Sequence, residues 1–140
     1  MSNNYKIFNT LPCQAKDIRT QVFVQEQGFK NEFDSVDEYA KHIVIFDENG
    51  IGIATGRVFT DDGENYHIGR VAVVKSHRGE GLGLEIMEIA EAVAKEENAK
   101  SLIISAQLQA KHFYEKCGFF PIGEIYYDEH CEHIKMIKAI

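Results

Sequence analysis

Short apolar stretches separated by polar turns run along most of the chain, and this pattern predicts a sheet of several β-strands. Turn sequences at Asp47-Glu48-Asn49-Gly50 and Asp61-Asp62-Gly63 join the second, third and fourth stretches into an antiparallel meander. Helical segments separate the later stretches, as in a strand–helix–strand crossover. The predicted strands cover residues 5–9, 42–46, 52–60, 66–74, 101–106, 119–127 and 133–137.

Two longer segments carry apolar residues at helical spacing, and they predict helices over residues 15–27 and from residue 82 to about residue 97. A third, short helix ends before Gly118, a residue suited to the left-handed conformation after a helix. Residues 28–39 are polar and acidic without a clear period, which indicates a loop or a short helical piece. The second helix has one apolar stripe, formed by Leu82, Ile86, Ile89 and Val93.

A glycine-rich loop, His77-Arg78-Gly79-Glu80-Gly81-Leu82-Gly83, leads from an apolar strand into the second helix. The first N–H groups of a helix have no partner inside the helix, and the helix dipole makes this end positive. Glycines let the backbone approach a phosphate closely, and the guanidinium of Arg78 suits phosphate oxygens. The loop therefore predicts a phosphate-bearing ligand, with a tight turn that binds nothing as the alternative.

The residues after this loop exclude two common phosphate motifs. Leu84 and Glu85 follow Gly83, whereas a P-loop needs Lys and then Ser or Thr at that point. The dinucleotide pattern G-x-G-x-x-G also fails because position 84 is leucine. The remaining pattern, Arg/Gln-x-x-Gly-x-Gly/Ala, resembles the pyrophosphate loop of the GCN5-related N-acetyltransferases (GNAT family). This resemblance implies acetyl-CoA as co-substrate, bound by Ala72, Val73, Arg78, Gly79, Gly81, Leu82, Gly83 and Gln107.

A second stretch, residues 106–119, resembles the later GNAT motif A-x-x-[FY]-Y-E-K-x-G-F. In that family the tyrosine at the position of Tyr114 points at the coenzyme A sulfur and can protonate the leaving thiolate. Gln107 stands where the family usually has Asn and keeps an amide for the pantetheine arm. A core aromatic with a satisfied hydroxyl is the alternative role for Tyr114. We interpret Cys117 as a small buried residue rather than a nucleophile.

The order of elements resembles the GNAT fold over nearly the whole chain, so we expect one domain over residues 1–140. The resemblance implies an α+β acyl-CoA N-acyltransferase fold, with a central mixed but mostly antiparallel sheet of about six to seven strands flanked by helices. In that fold the strands that end near Val73 and Ser105 splay apart and admit the pantetheine arm. Backbone N–H groups near Val73 would then stabilise the oxyanion of the tetrahedral intermediate.

The sequence gives only a weak signal for the residue that acts as general base. Many GNAT relatives carry an acid on the central strand before the loop, where this chain has Gly69. Residues 22–28 and 133–136 resemble an ElaA-like branch of the family, which favours Glu26 and His133 as catalytic residues on the substrate side. A surface carboxylate and a strand-start histidine are their alternative roles. The other candidate bases are Asp34, Asp37, His42, His67 and His130.

Composition and charge limit the classes of partner that this protein is expected to bind. The formal net charge of −7 argues against general nucleic-acid binding and suits a cationic substrate such as a small-molecule amine. No run approaches the ~20 apolar residues needed to cross a membrane. The three cysteines are too few for a disulfide framework and favour a reducing cytoplasm. Dimers are common in the family, so the resemblance leaves a homodimer open.

These features together predict an N-acetyltransferase that moves the acetyl group of acetyl-CoA to a primary amine by direct attack in a ternary complex. The alternative is a non-catalytic coenzyme A sensor or interaction module on the same fold, which the missing acid at Gly69 favours slightly. A metalloprotein is a weaker alternative, because a strand start cannot easily turn four ligands onto one metal. Its ligands would be Asp128, His130, Cys131 and His133, and we predict no metal site. We expect residues 25–39 and 123–133 to line the acceptor pocket.

Overall fold

Seven strands form one sheet in the computed structural model, which describes residues 4–140. The strands are β1 Asn4–Phe8, β2 Lys41–Phe46, β3 Gly52–Thr60, β4 Asn65–Val73, β5 Ser101–Gln107, β6 Phe120–Asp128 and β7 Cys131–Ala139. They lie in the order β1-β2-β3-β4-β5-β7-β6, with β4 and β5 parallel and the other neighbours antiparallel. The predicted α+β fold is confirmed; residues 1–3 of the predicted domain lie outside the described residues.

Strand ends match the prediction to within one residue except in β7. The prediction of residues 133–137 was too short there. β7 pairs with β5 on one side and with β6 on the other, so both neighbours extend its ladder beyond the short apolar run.

The helices of the described part are α1 Cys13–Arg19, α2 Leu82–Glu96 and α3 Lys111–Lys116, with short 3₁₀ segments at Ser35–Glu38, Lys75–His77 and Leu108–Ala110. α1 continues directly into a π-helix at Thr20–Glu26, so the chain is helical over the predicted residues 15–27 except Gln27, but the second half is a π-helix. The Gln27 N–H bonds to the Val22 carbonyl, five residues back. Apolar spacing does not distinguish this bond from the ordinary four-residue one. No helix within residues 4–140 is long and apolar enough to span a membrane.

Two apolar cores lie on the two faces of the sheet. α2 covers one face, where Ile86 and Ala90 pack with Ile43 and Ile68. α1 and the π-helix cover the N-terminal part of the other face, with a core that includes Ala15, Ile18, Val22, Phe23 and Val44. The alternation of Ile43 and Val44 between the two cores follows from the period of two in a strand.

A β-bulge in β4 reverses this alternation. Arg57 of β3 pairs with Gly69, but Thr55 pairs with Ala72, so two residues of β4 oppose the single residue Gly56. Arg70 takes the left-handed conformation at φ 52°. Tyr66 and Ile68 face α2 before the bulge, and Val71 and Val73 contact the same core after it. The bulge therefore turns the end of β4 relative to its beginning.

A buried ionic cluster anchors the 28–40 segment to the sheet. Arg19 donates to Glu32 at 2.8 Å and to Asp37 at 2.7 Å, although the Arg19 side chain is only 1% exposed. Arg57 also donates to Asp37, at 2.9 Å. Burial raises the pKa of Asp37, but its hydrogen bonds and charge interactions with the two arginines outweigh burial and lower the pKa to about 2. The cluster also includes Asp34 and Arg70, which bind each other at 3.3 Å.

Candidate active site

β4 and β5 pair only over their first halves, from Asn65 with Ser101 to Ile68 with Ile104. Beyond this point the two strands diverge, as predicted. A cavity of about 240 Å³ opens between them. Its walls include Ile68, Gly69, Arg70 and Val71 of β4, Ile104, Ser105 and Gln107 of β5, and the side chains of Tyr114 and His133.

The edge of β4 presents backbone groups to this gap. The Val74 N–H bonds to the carbonyl of Ile53 on β3. Groups alternate between the two edges of an antiparallel strand, so the N–H and carbonyl of Val73 point away from β3. The Val73 carbonyl accepts a hydrogen bond from Nε of Arg78 at 3.0 Å, which agrees with this direction. Val73 thus offers an N–H donor on the side of the gap, where the sequence predicts an oxyanion site.

The glycine-rich loop leads into α2 through left-handed backbone. Gly79 has φ 84°, and Gly81, which immediately precedes the helix, has φ 79°. A Cβ built at either position would meet no protein atom within 4 Å. No side chain of residues 4–140 caps α2, so its first N–H groups are available to a ligand. Packing leaves space around both positions, and their left-handed backbone favours glycine.

Arg78 and Glu26 form an ion pair at this loop. Nη1 and Nη2 of Arg78 each donate to one carboxylate oxygen of Glu26, both at 2.6 Å. The hydrogen bond from Arg78 lowers the pKa of Glu26. Glu26 ends the π-helix and is not among the residues that line the cavity. The structure therefore places this predicted substrate-side residue beside the predicted phosphate loop.

A chain of amide side chains lies at the opposite side of the gap. Gln107, at the end of β5, donates from Nε2 to Oε1 of Gln27 at 2.8 Å. Its own Oε1 accepts from Nε2 of Gln109 at 2.7 Å. Gln27 directly follows Glu26, so adjacent residues at the end of the π-helix contact both sides of the cleft.

Tyr114 projects from α3 into the cavity. Its ring makes edge contacts with Phe113 and Phe119, at centroid distances of 5.1 Å and 6.3 Å. The hydroxyl has no hydrogen-bond partner in the described part of the chain. Burial, with a further contribution from Cys117, raises the pKa of Tyr114 to about 12, so the phenol is protonated at neutral pH.

His133 lies buried in the same cavity, with its ring near Tyr126 and Phe29. Its Nδ1 is 3.0 Å from the carbonyl oxygen of Cys131. Because a carbonyl only accepts, Nδ1 carries a proton and the lone pair of the neutral ring resides on Nε2. Nε2 has no hydrogen-bond partner among residues 4–140, so the arrangement can accept a proton there.

The fold and this geometry agree with comparisons to known proteins. The family model described as an acetyltransferase (GNAT) domain matches residues 12–140. The chain belongs to the GNAT acetyltransferase family. It is 35% identical over 132 residues to the uncharacterized N-acetyltransferase YjcF of Bacillus subtilis, with 89% of this chain and 92% of that protein covered.

Solved structures resemble nearly the whole chain. Escherichia coli ElaA superposes with a TM-score of 0.86 at 26% identity, covering 96% of this chain and 98% of ElaA, which agrees with the resemblance to the ElaA-like branch. A putative N-acetyltransferase from Lactobacillus plantarum gives 0.87 at 28% identity, covering 98% and 99% of the two chains. An aminoglycoside 6'-N-acetyltransferase complexed with coenzyme A shares the fold, with a TM-score of 0.78 at 12% identity over 97% and 96% of the two chains.

Both segments that were predicted to line an acceptor pocket contribute residues to the cavity wall. Phe29, Asn31 and Glu32 line the cavity from the first, and Asp128 and Glu129 from the second. The Glu129 carboxylate accepts from the backbone N–H groups of residues 30 and 31, which ties the β6–β7 turn to the 28–32 segment.

The sequence analysis did not identify the ion pair of Arg70 and Glu32 in the cavity wall, although Glu32 lies within a segment that it expected to line the acceptor pocket. Arg70 binds Glu32 at 2.9 Å, and burial raises the pKa of Glu32 despite this pairing. A usable signal was present, because a charged residue after Gly69 within an apolar strand is typical of a bulge. Glu32, the partner of Arg70, lies in a loop 38 residues away, and no sequence feature marked this pairing.

The remaining candidate bases lie away from the cavity. Asp34 and Asp37 belong to the buried ionic cluster, and His42 bonds to the Asp37 carbonyl. His67 stacks on Phe59. The fifth candidate, His130, packs on Phe29 from a neighbouring cavity.

Cys117 is not among the residues that line the cavity between β4 and β5. Burial raises the pKa of the Cys117 thiol, which disfavours the thiolate, and its side chain lines a separate cavity between α2 and β7. Within residues 4–140, no three His, Cys, Asp or Glu side chains are grouped to hold a metal.

Proposed function

We propose that this GNAT protein transfers the acetyl group of acetyl-CoA to the primary amine of a small molecule by direct attack in a ternary complex. The observation that carries the proposal is the cavity between the diverging ends of β4 and β5, which places a protonated phenol and an imidazole lone pair in one small space. The imidazole lone pair can take the proton of the attacking amine, and the phenol can assist the departing sulfur.

The coenzyme would use groups that the protein leaves available. The open glycines Gly79 and Gly81 and the uncapped start of α2 suit the pyrophosphate. The N–H of Val73 suits the thioester carbonyl oxygen, where negative charge develops. Gln107 would hold the pantetheine arm, and Arg78 would bind phosphate. Ala72, Leu82 and Gly83 complete the predicted set. A Cβ at Gly83 would make only an ordinary contact with the Phe113 ring, at 3.5 Å.

The chemical step forms a C–N bond and breaks a C–S bond. An alkylamine is mostly protonated at neutral pH, so a base must first accept its proton. Nε2 of His133 accepts the proton of the ammonium group, and the neutral nitrogen then attacks the thioester carbon and loses its second proton to solvent. The tetrahedral intermediate then expels the sulfur, to which the Tyr114 hydroxyl donates. The products are an N-acetyl amide and coenzyme A, and solvent restores the protons on the two side chains.

The size and charge of the cavity indicate the kind of acceptor, and the cysteines indicate the cellular compartment. At about 240 Å³ it suits a small acceptor, and Asp128 and Glu129 at its rim suit a cation. Cys13, Cys117 and Cys131 are free, which supports a place in the reducing cytoplasm. A homodimer stays a prediction.

A turnover assay tests the proposal. Free thiol released from acetyl-CoA is measured across a panel of small amines, with mass spectrometry of the acetylated product and a reaction without amine as the control for hydrolysis. We expect amine-dependent thiol release. Coenzyme A binding without turnover of any amine would instead support the non-catalytic binding module.

A further inference from the structure

The hydrogen-bonding edges of Arg78 are already engaged by the protein. A guanidinium has five N–H groups, and a two-pronged contact uses a neighbouring pair on one edge. Nη1 and Nη2 both donate to Glu26, and Nε donates to the Val73 carbonyl. The two N–H groups that remain lie on different edges. Arg78 can therefore offer a phosphate a two-pronged contact only after it releases one of these partners.

The element that holds Arg78 also forms the wall of the acceptor cavity. Glu26 is the last residue of the π-helix, and Phe23 and Gln27 line the cavity. Gln27 binds Gln107 on the other side of the cleft. Both side chains that the resemblance assigns to the coenzyme are thus held by consecutive residues, Glu26 and Gln27.

We propose that Glu26 is a positioning residue that competes with the phosphates of the coenzyme for Arg78. Coenzyme binding transfers Arg78 from the carboxylate to a phosphate and releases the end of the π-helix beside the acceptor cavity. The inference rests on the proposed function. The exchange is feasible because the Arg78 and Glu26 side chains are 40% and 39% exposed, and exposed ion pairs are weak.

Isothermal titration of coenzyme A into the full-length protein tests the competition. Glu26→Gln keeps the size of the side chain and removes its charge. We expect it to tighten coenzyme A binding by about two- to fivefold, the range that a weak exposed pair allows. Glu80→Gln is the matched control, because Glu80 lies in the same loop and pairs with His77 rather than Arg78. It removes the same charge near the phosphates without freeing Arg78, so it should increase coenzyme A affinity less than Glu26→Gln does.

A double-mutant cycle separates competition for Arg78 from a general effect of charge. In an Arg78→Ala background the additional gain from Glu26→Gln should disappear. Melting temperatures without ligand verify folding, and Glu26→Ala serves as a second variant. Binding by Glu26→Gln that is weaker than, or equal to, that of Glu80→Gln would overturn the inference, as would a gain that persists without Arg78. A wild-type protein that fails to bind coenzyme A would overturn the proposed function as well.

Discussion

Ile68 of β4 and Ile104 of β5 form the last pair of the parallel ladder, and both side chains line the cavity that begins there. A different structural feature sets the course of each strand beyond this pair. β4 turns at the bulge around Arg70, while β5 continues beside β7 until Gln107 pairs with His133. The part of β5 beyond the parallel ladder therefore pairs with β7, and this pairing brings His133 to the cleft.

The glycine loop gives a prediction with an internal control. Gly81→Ala should weaken coenzyme A binding at least tenfold, because a methyl group would project into the space that suits a phosphate. Gly50→Ala is matched to it, since Gly50 also has φ 79° and open space around its Cβ. Both variants should lose similar stability from backbone strain, on the order of 1 kcal/mol. Titration and thermal melts measure the two effects. Equal coenzyme A affinities in the two variants would exclude Gly81 from the phosphate site.

Elements with strong local signals were predictable from sequence. The stripe of α2, the glycines before it and the turn at Gly118 depend on neighbouring residues, and the structure contains all three. The partner of Arg78 was not predictable, because Glu26 lies 52 residues away and nothing in either segment marks the pair. The π form of the second half of the first helix was not predicted, because apolar spacing does not distinguish it from an α-helix.

The buried ionic cluster predicts a stability effect. Asp37→Asn removes a carboxylate that accepts hydrogen bonds from both Arg19 and Arg57. Two buried guanidinium groups would then lack their shared counter-charge, so the free energy of unfolding should fall by roughly 3–5 kcal/mol. Denaturant unfolding measures it. Asp61→Asn is the control, because Asp61 makes an exposed hydrogen bond to Tyr39 and should change stability little.

The same carboxylate predicts a pH dependence. The pKa of Asp37 falls from 3.8 to about 2 on folding, so the unfolded chain binds a proton first as pH drops. Stability from this group is complete above about pH 4 and is lost as pH falls towards 2. The difference in unfolding free energy between the wild-type protein and Asp37→Asn should therefore shrink across that interval. A difference that stays constant down to pH 2 would contradict the assignment.

His133 predicts a loss of activity that depends on pH. His133→Gln keeps a donor for the Cys131 carbonyl but has no basic lone pair, so kcat/KM should fall roughly 10²-fold or more at neutral pH. The loss should shrink towards about pH 10, where an alkylamine becomes neutral without a base. His130→Gln is the control, because the His130 ring also contacts Phe29 but lines a neighbouring cavity rather than the one that holds His133. A loss that is equal at every pH would indicate a packing role.

Tyr114 and Tyr66 give a paired test of the proposed acid. Tyr114→Phe deletes a hydroxyl that has no hydrogen-bond partner among the described residues, so melting temperature and coenzyme A affinity should be kept while kcat falls. Tyr66→Phe deletes a buried tyrosine's hydroxyl that donates to Glu97 at 3.0 Å. That variant should lose about 1 kcal/mol of stability and keep its kcat. Steady-state kinetics and thermal melts on both variants measure the contrast.

The size of the Tyr114 effect reports how the sulfur departs. General acids typically contribute 10²- to 10⁴-fold in rate. With its pKa raised to about 12, the phenol is a weaker acid than a thiol, whose pKa is about 8.5, so complete transfer to the thiolate is uphill. We therefore expect a fall near the lower end, about 10²-fold, from a hydrogen bond that strengthens as charge builds on sulfur. A fall below about tenfold would mean that Tyr114 positions the sulfur without acting as the acid, because a thiolate is a tolerable leaving group unaided. The transferase proposal would then stand on His133 and the Val73 N–H alone.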